Sequence, residues 1–419
     1  MHTRWLLSLG IALAVFTPAV AEVTETSYSL KELRAMARWA HPTLESAEAI
    51  VEAAAGALRQ AGAYPNPEIA VGVGRGTPRD GGDSRSENTI ELVQPIELPG
   101  VRRWRTRSAE LRARAVELDR VLAQTVVDST VVRLAYSALL GQRRAEITAE
   151  SAQVAARLQE LLERRVELGE SSPLEAVKAR SEWFARRREV VDADSALEAA
   201  RSALALFCGG RLPDGYTIAE TLEGPGTIAL PADLVDRLRT HNPALLRAGI
   251  AVEEAQARTE IAKKEVFPRF DVFAGHETEL DRKAASVGVG LTIPLWNRNR
   301  GEISATAAEH VRATAETRVL AQEYETSLAR AIAAYKAARA AIRLHDDGWT
   351  ATAKQALDIS TFSYENGEAS LLDVLDAQRS YLGVQSAEAE SWAALALARA
   401  DIELLLAGPL EPENPDETR

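Results

Sequence analysis

The sequence contains an internal duplication, and this repeat constrains the fold more than any other feature. Three landmarks recur in both halves: the turns Leu168–Glu175 and Asn366–Asp373, the strand ends at Pro95 and Pro294, and the helix starts at Pro42 and Pro243. The members of these pairs are 198, 199 and 201 residues apart. A near-constant offset indicates two copies of one structural unit that share a single body. Because each copy combines strands with very long helices, the repeat favours a symmetric tube over a compact enzyme.

Each copy contains two segments with the period-two alternation of a β-strand. The predicted strands cover residues 66–75, 87–96, 268–276 and 284–295. Their length of about ten residues suits a tilted transmembrane strand, and two soluble hairpins, each packed on a core, are the alternative. A membrane barrel needs at least about eight strands, and lipid does not tolerate an open sheet edge. A membrane location would therefore require oligomerisation, and three chains would supply twelve strands.

Each copy then continues into a helical segment that is too long for a globular domain. No proline interrupts residues 100–172 or 295–408. Alternating spacings of four and three residues between apolar or small side chains, as from Leu118 to Leu139, are typical of a coiled coil. A helix over residues 101–165 would be roughly 95 Å long at the α-helical rise. The predicted helical hairpins cover about 101–207 and 299–407.

The remaining segments have patterns of their own. Residues 1–21 are typical of a secretory signal peptide, because Arg4 precedes a short apolar run and Ala19–Ala21 offers a small-residue cleavage site. The two repeats are predicted at 22–208 and 231–408, with a linker rich in Gly and Pro at 209–230 and a disordered tail at 409–419.

Several classes of function are disfavoured by what the sequence contains and lacks. The formal net charge of −12 argues against binding to nucleic acid. Cys208 is the single cysteine, which excludes an intramolecular disulfide framework. The sequence has no His-Glu-x-x-His motif, no Walker loop and no Gly-x-Ser-x-Gly elbow. It therefore predicts no enzyme, no cofactor and no metal site.

A basic run, Arg102–Arg107, opens the first long helix. Positive charge is unfavourable at a helix N-terminus, so either anionic lipid headgroups beside the strands compensate it or the helix start is simply solvated. Trp104 and Trp296 follow predicted strands. They suit an aromatic girdle at the membrane surface and, equally, ordinary helix packing.

Four motifs carry a resemblance to a known family. They are Tyr364–Ala377 at the second tip, Tyr64–Glu68 at the start of one strand, Gln94–Gly100 at the end of another and Ile293–Gly301 at the end of a third. Together with the duplicated strands and hairpins, they resemble the TolC-like outer-membrane efflux family, and within it the cobalt–zinc–cadmium branch. The resemblance implies a mixed, mainly α fold: a duplicated unit of two transmembrane strands plus a long coiled-coil hairpin, trimerising to a twelve-stranded β-barrel on an α-helical tunnel.

The resemblance also implies a function. Such proteins are passive exit ducts in the outer membrane that extend into the periplasm. They work with a periplasmic adaptor and an inner-membrane pump of the RND type. The resemblance to the cobalt–zinc–cadmium branch implies that heavy-metal cations are the cargo. A duct for drug efflux or type I protein secretion shares the architecture, and a soluble periplasmic coiled-coil adaptor or scaffold is the alternative from another class.

Eight tip residues match functional positions of the family. Asp373 and Asp376 lie three residues apart on one helical face, and the resemblance implies an acidic constriction there. Solvated acids, or partners for Arg379, are the alternative. Glu175 and Tyr364 match a clasp that keeps the tip closed, although Ala369 stands where some relatives have a clasp arginine. The adaptor-docking positions are Gly169, Ser172, Gly367 and Ser370, which also suit plain helix-turn chemistry.

Overall fold

The computed structural model describes residues 26–79, 81–97, 99–223, 226–280 and 282–410. The predicted signal peptide and residues 411–419 of the predicted tail lie outside the described residues. The elements are β1 (Ser27–Tyr28), α1 (Leu30–Ala40), α2 (Pro42–Gly62), β2 (Glu68–Gly76), β3 (Arg85–Ile96), α3 (Pro99–Glu167), α4 (Pro173–Phe207), β4 (Thr217–Ile218), α5 (Leu234–His241), α6 (Pro243–Lys264), β5 (Arg269–Glu279), β6 (Arg282–Thr292), α7 (Arg300–Asp346), α8 (Trp349–Glu365) and α9 (Leu371–Leu406).

The two halves of the chain share one antiparallel sheet. Its strand order is β2-β3-β5-β6, so β3 of the first half pairs with β5 of the second. The register places the alternating apolar side chains on a common face, with Val71 opposite Ile90 and Val272 opposite Val289. This face carries the exposed side chains of Ile69, Val71, Val73, Ile90, Leu92, Phe270, Val272, Val287, Val289 and Leu291. An apolar surface of this extent requires lipid or another protein to cover it.

The helices form two long hairpins, as the proline-free runs predict. Helix α3 has 69 residues and returns as α4. At the α-helical rise, α3 is about 100 Å long. Among the described residues, no helix is both long enough and apolar enough to cross a membrane.

The second hairpin differs from the continuous helices that the sequence predicts over 299–407. Its descending arm is broken between α7 and α8, where Gly348 has a φ of +105°. Glycine adopts this conformation without the steric penalty of a Cβ atom, so the helix ends after Asp346 and restarts at Trp349. The corresponding part of α3 is uninterrupted.

The predicted linker and tail are also more structured than expected. Within 209–230, β4 pairs in parallel with β1, and Tyr216 is buried against the first half of the chain. The second residue of the predicted tail belongs to the core, because Leu410 is buried and its backbone N–H donates to Glu403. A short apolar segment therefore follows α9 into the core, which composition alone did not reveal.

The core lies mainly where the long helices meet the short elements at mid-height. One cluster joins α5, α6, α7 and α9, and another joins α1, α3 and the end of α4. Cys208 lies in the second cluster, as a buried apolar residue, and burial raises the pKa of its thiol to about 11. Another cluster joins α3 and α9, and a separate one lies at the hairpin tips.

Candidate functional site at the hairpin tips

The tips of the two hairpins meet in a small apolar cluster. We call it the tip cluster; its buried members are Leu162, Ala179, Tyr364, Leu371, Val374 and Leu375. Leu162 and Ala179 belong to the first hairpin and the other four to the second. The predicted tip residues of both repeats, which are about 200 positions apart in the sequence, therefore lie at one end of the molecule.

The same turn chemistry builds both tips. Gly169 and Gly367 have φ values of +78° and +79°, and each follows the last turn of a helix. The N–H of Glu170 donates to the carbonyl of Arg165 at 2.8 Å, and the N–H of Glu368 donates to that of Ser363 at 2.8 Å. These are the bonds of a helix end closed by a left-handed glycine. The two predicted glycines thus have a structural role whatever else they contact.

The helices that leave the turns begin with matching caps. Ser172 and Ser370 are N-caps, and each forms a capping box with the residue three positions on. In the first tip that residue is Glu175, and in the second it is Asp373. A capping box satisfies two helix N-terminal donors reciprocally, so all four side chains stabilise the turns.

The two predicted constriction acids lie on the exposed side of α9, away from the tip cluster. The Asp373 carboxylate accepts from the Ser370 hydroxyl at 2.7 Å and from the Ser370 N–H at 2.9 Å. These side-chain and backbone hydrogen bonds lower the pKa of Asp373. The Asp376 side chain is 64% exposed and pairs with Arg379 at 3.4 Å. Asp373 is therefore engaged within its own turn, whereas Asp376 is the freer charge.

Arg379 extends this charge pattern to the first hairpin. Its guanidinium also lies 3.4 Å from Glu182 of α4, and Glu182 in turn pairs with Arg186 at 2.8 Å. Glu182 and Arg186 are each only 14% exposed. Arg379 is therefore a partner of Asp376, as the alternative interpretation of the acids expected. The same arginine links the second tip to the first.

The predicted clasp pair lies together but is not joined as expected. The Glu175 carboxylate accepts from the Ser171 hydroxyl and from the Ser172 N–H. The Tyr364 ring is buried in the tip cluster beside it. Burial, followed by the charge of Glu175, raises the pKa of the Tyr364 phenol, and Arg165 opposes this shift. Glu175 thus acts on Tyr364 through its charge while its hydrogen bonds serve its own turn.

Arg165 is the tip residue that sequence reasoning missed. Its guanidinium lies 5.8 Å from the centre of the Tyr364 ring, and it donates to the carbonyl of Glu365 at 3.2 Å. Both contacts join α3 of the first hairpin to the end of α8 in the second. A cation of the first hairpin therefore contacts Tyr364, although Ala369 stands where some relatives have an arginine. The sequence feature that could have identified Arg165 as a tip residue is its position four residues before Gly169.

The arrangement offers packing and charge rather than chemistry. Within the described residues, no group of three or more His, Cys, Asp or Glu side chains is placed to hold a metal ion. The apolar contacts of the tip cluster hold the two hairpins together, and the exposed acids give this end of the molecule negative charge.

Known proteins resemble the chain over most of its length. Residues 19–210 and 234–408 match the sequence model of the family described as Outer membrane efflux protein. The cobalt-zinc-cadmium resistance protein CzcC of Cupriavidus metallidurans is 27% identical over 405 residues, which cover 91% of this chain and 96% of CzcC. The pyoverdine export outer membrane protein OpmQ of Pseudomonas aeruginosa is 24% identical over 360 residues, covering 78% and 74%. A crystal structure of CusC superposes with a TM-score of 0.81 at 19% identity, covering 94% and 96% of the two chains.

Proposed function

The chain belongs to the outer membrane efflux protein family, and from that premise we propose that it is the outer-membrane exit duct of a tripartite heavy-metal efflux system. The proposal includes a homotrimer of three copies around one axis, a periplasmic adaptor that docks on the hairpin tips, and an inner-membrane RND-type pump that supplies the energy. Outer-membrane lipid surrounds the sheets, and the helices extend into the periplasm.

The observation that carries the proposal is one sheet with an exposed apolar face, continued by helices about 100 Å long. Lipid would cover the apolar face of the sheet. Pairing between copies would satisfy the backbone groups at its edges, which lipid cannot do. The helices have the length needed to reach from the outer membrane towards a partner in the periplasm.

Heavy-metal cations are the proposed cargo because CzcC, a cobalt-zinc-cadmium resistance protein, matches nearly the whole chain. OpmQ is named for pyoverdine export, so a duct of this family can serve another cargo. The proposed duct is passive, and its cargo would be selected by the pump. Drug efflux or type I protein secretion is the second candidate for the same architecture.

The tip is the proposed gate and docking surface. Separation of the hairpins at the tip cluster would open the duct, with Tyr364 and Glu175 at the contact between them. Asp373 and Asp376 would line the constriction, repel one another around the axis and attract cations. The turns at Gly169, Ser172, Gly367 and Ser370 present small side chains to an adaptor, in addition to closing and capping the helices.

A gene deletion tests both the cargo and the class of function. Loss of the protein should lower the concentrations of zinc, cobalt and cadmium that stop growth, and the wild-type gene should restore them. Unchanged metal tolerance with increased sensitivity to several drugs would instead support the drug-efflux candidate. Recovery of the intact chain from periplasmic extract rather than from detergent-solubilised outer membrane would contradict the duct altogether.

A further inference from the structure

The pairing of the strands defines the two edges of the sheet and the directions in which the edge strands run. In the part of the chain that the structure describes, β2 and β6 are the edge strands of the four-stranded sheet. All neighbouring strands are antiparallel, so Glu68 at the start of β2 and Thr292 at the end of β6 lie at the same, helical end of the sheet. When copies join edge to edge, β6 of one copy is antiparallel to β2 of the next. Residues just after β6 then meet residues just before β2.

The chain already contains such a junction between its own repeats. At the β3–β5 junction, the segment after β3 meets the segment before β5 around a cavity of about 300 Å³ lined by Ile96, Glu97, Lys264 and Phe267, among others. Glu97 is only 12% exposed and pairs with Arg105. This junction is a template for the one between copies, because the duplication makes β6 the equivalent of β3 and β2 the equivalent of β5.

The helices beside the sheet show that the second junction is incomplete in one chain. Helix α6 packs against both α3 and α7, and seven of its residues are buried. Helix α2, its equivalent in the first repeat, packs against α3 and buries no residue. Both helices begin at a proline, and every residue of α2 is described. The open side of α2 therefore corresponds to the side of α6 that the other repeat covers.

The duplication identifies the side chain that enters the second junction. Pro294 lies 199 residues after Pro95, so Trp296 corresponds to Glu97. The side chain at this position is enclosed at the β3–β5 junction, whereas Trp296 is 94% exposed. A tryptophan this exposed buries a large apolar area when a partner surface covers it.

A matching cavity lies in front of β2. Tyr64 corresponds to Phe267, because each precedes a proline just before its strand, and each has a cation over its ring. For Tyr64 the cation is Arg102, whose guanidinium carbon lies 3.9 Å from the ring centre. The cavity measures about 710 Å³, and its lining includes Arg103 and Trp104. We call it the junction cavity. Neither Arg102 nor Arg103 forms an ion pair with a described residue.

We propose that Trp296 of one copy inserts into the junction cavity of the next and packs against Tyr64, Arg102 and Arg103. Tryptophan is the best aromatic partner for a guanidinium, so the cavity matches the residue in chemistry as well as in position. This inference rests on the proposed homotrimer and identifies the contact that closes each seam between copies. It also assigns the basic run a protein partner rather than a lipid one.

A pair of cysteines tests the contact directly. Tyr64→Cys combined with Trp296→Cys, joined by a short bis-maleimide in detergent-solubilised protein, should give a ladder of covalent dimer and trimer. Each single variant should stay monomeric on the denaturing gel, and Cys208 does not interfere because it is buried. Tyr64→Cys with Trp349→Cys is the matched control, since Trp349 is exposed but starts α8, far from the sheet.

The result separates this inference from the proposed assembly. A protein that runs as a trimer on a native gel but gives no Tyr64–Trp296 ladder would overturn the inference and leave the trimer intact. A monomer on the native gel would overturn both. A ladder as strong in the Tyr64–Trp349 control would also count against the contact.

Substitution at the same site distinguishes a protein partner from a lipid one. Trp296→Ala should raise the concentration at which half of the trimer dissociates by about tenfold or more, as for an interface anchor. Trp296→Phe should recover part of the loss, and the neighbouring Leu295→Ala should have a smaller effect. If instead Arg102→Gln weakens the trimer only in micelles that contain anionic phospholipid, and Trp296→Ala has no effect, the cavity holds a headgroup and the inference is wrong.

Discussion

Leu162 provides a test of the tip as a separate, weakly held unit. It is 0% exposed and lies at the centre of the tip cluster, where α3 contacts residues of α8 and α9. Leu162→Ala should cost about 3 kcal/mol, within the range for removing a buried leucine side chain. Because about 1.4 kcal/mol changes an equilibrium tenfold, local separation of the tips should become about 100-fold more frequent.

Hydrogen–deuterium exchange of the trimer is the assay that locates this effect. Amides near the tip, in residues 360–375, should exchange faster in Leu162→Ala, while those of the mid-height core should keep their wild-type rates. Leu395→Ala is the matched control, because Leu395 is also 0% exposed but lies in the mid-height cluster with α7. It should lower global stability without selective exchange at the tip.

Single-channel recording connects the same change to the duct. If the tip cluster keeps the tips together, Leu162→Ala in a planar bilayer should show a larger mean conductance than the wild type and Leu395→Ala. Equal exchange in the two variants, or faster exchange at mid-height in Leu162→Ala, would refute the view that tip opening is local. Faster exchange at the tip with unchanged conductance would refute the tip cluster as the gate.

Three further predictions concern the charges and turns of the tip. Asp376→Asn should weaken block of single channels by multivalent cations more than Asp373→Asn does, and equal effects would show that both carboxylates line the constriction alike. Arg165→Gln removes a cation–π contact and a hydrogen bond, which together contribute about 1 kcal/mol to holding the tips together. Tip amides should therefore exchange about fivefold faster. Wild-type exchange rates would contradict a contact of Arg165 across the two tips. Gly367→Val has open space around the new side chain but places valine in a left-handed backbone conformation. Metal resistance should therefore fall while the trimer persists. Normal resistance would refute docking of an adaptor at this turn.

Local patterns in the sequence predicted the large elements well. The period-two segments became β2, β3, β5 and β6, each beginning and ending within a few residues of the expected positions. The expected turn chemistry is present at both tips, because glycine conformations and the Ser-x-x-Glu and Ser-x-x-Asp caps depend on residues a few positions apart. The division into two repeats with these bounds stays a prediction about independent units.

Contacts between distant segments were beyond the sequence pattern. Strands β1 and β4 pair over two residues only, which is too short for a periodic pattern in the sequence. The burial of Leu410 depends on the shape of the core around α9. The break at Gly348 was readable in principle, since a glycine after two aspartates is a helix-end signal, but the absence of proline outweighed it. Arg165 lies 199 residues before Tyr364, so the motif around Tyr364 gives no sign of the contact between them.

The two tips share their cap chemistry and differ at one exposed position. Asp373 lies 198 residues after Glu175, and both hold the third position of a capping box, so they are equivalent rather than contrasting. The contrast lies three positions further along, where Asp376 corresponds to Lys178 at the same offset. Both of these side chains are exposed. In a trimer, the ring of six tips would therefore alternate in charge at this level, and Asp376 would distinguish the second hairpin from the first for cations and for an adaptor alike.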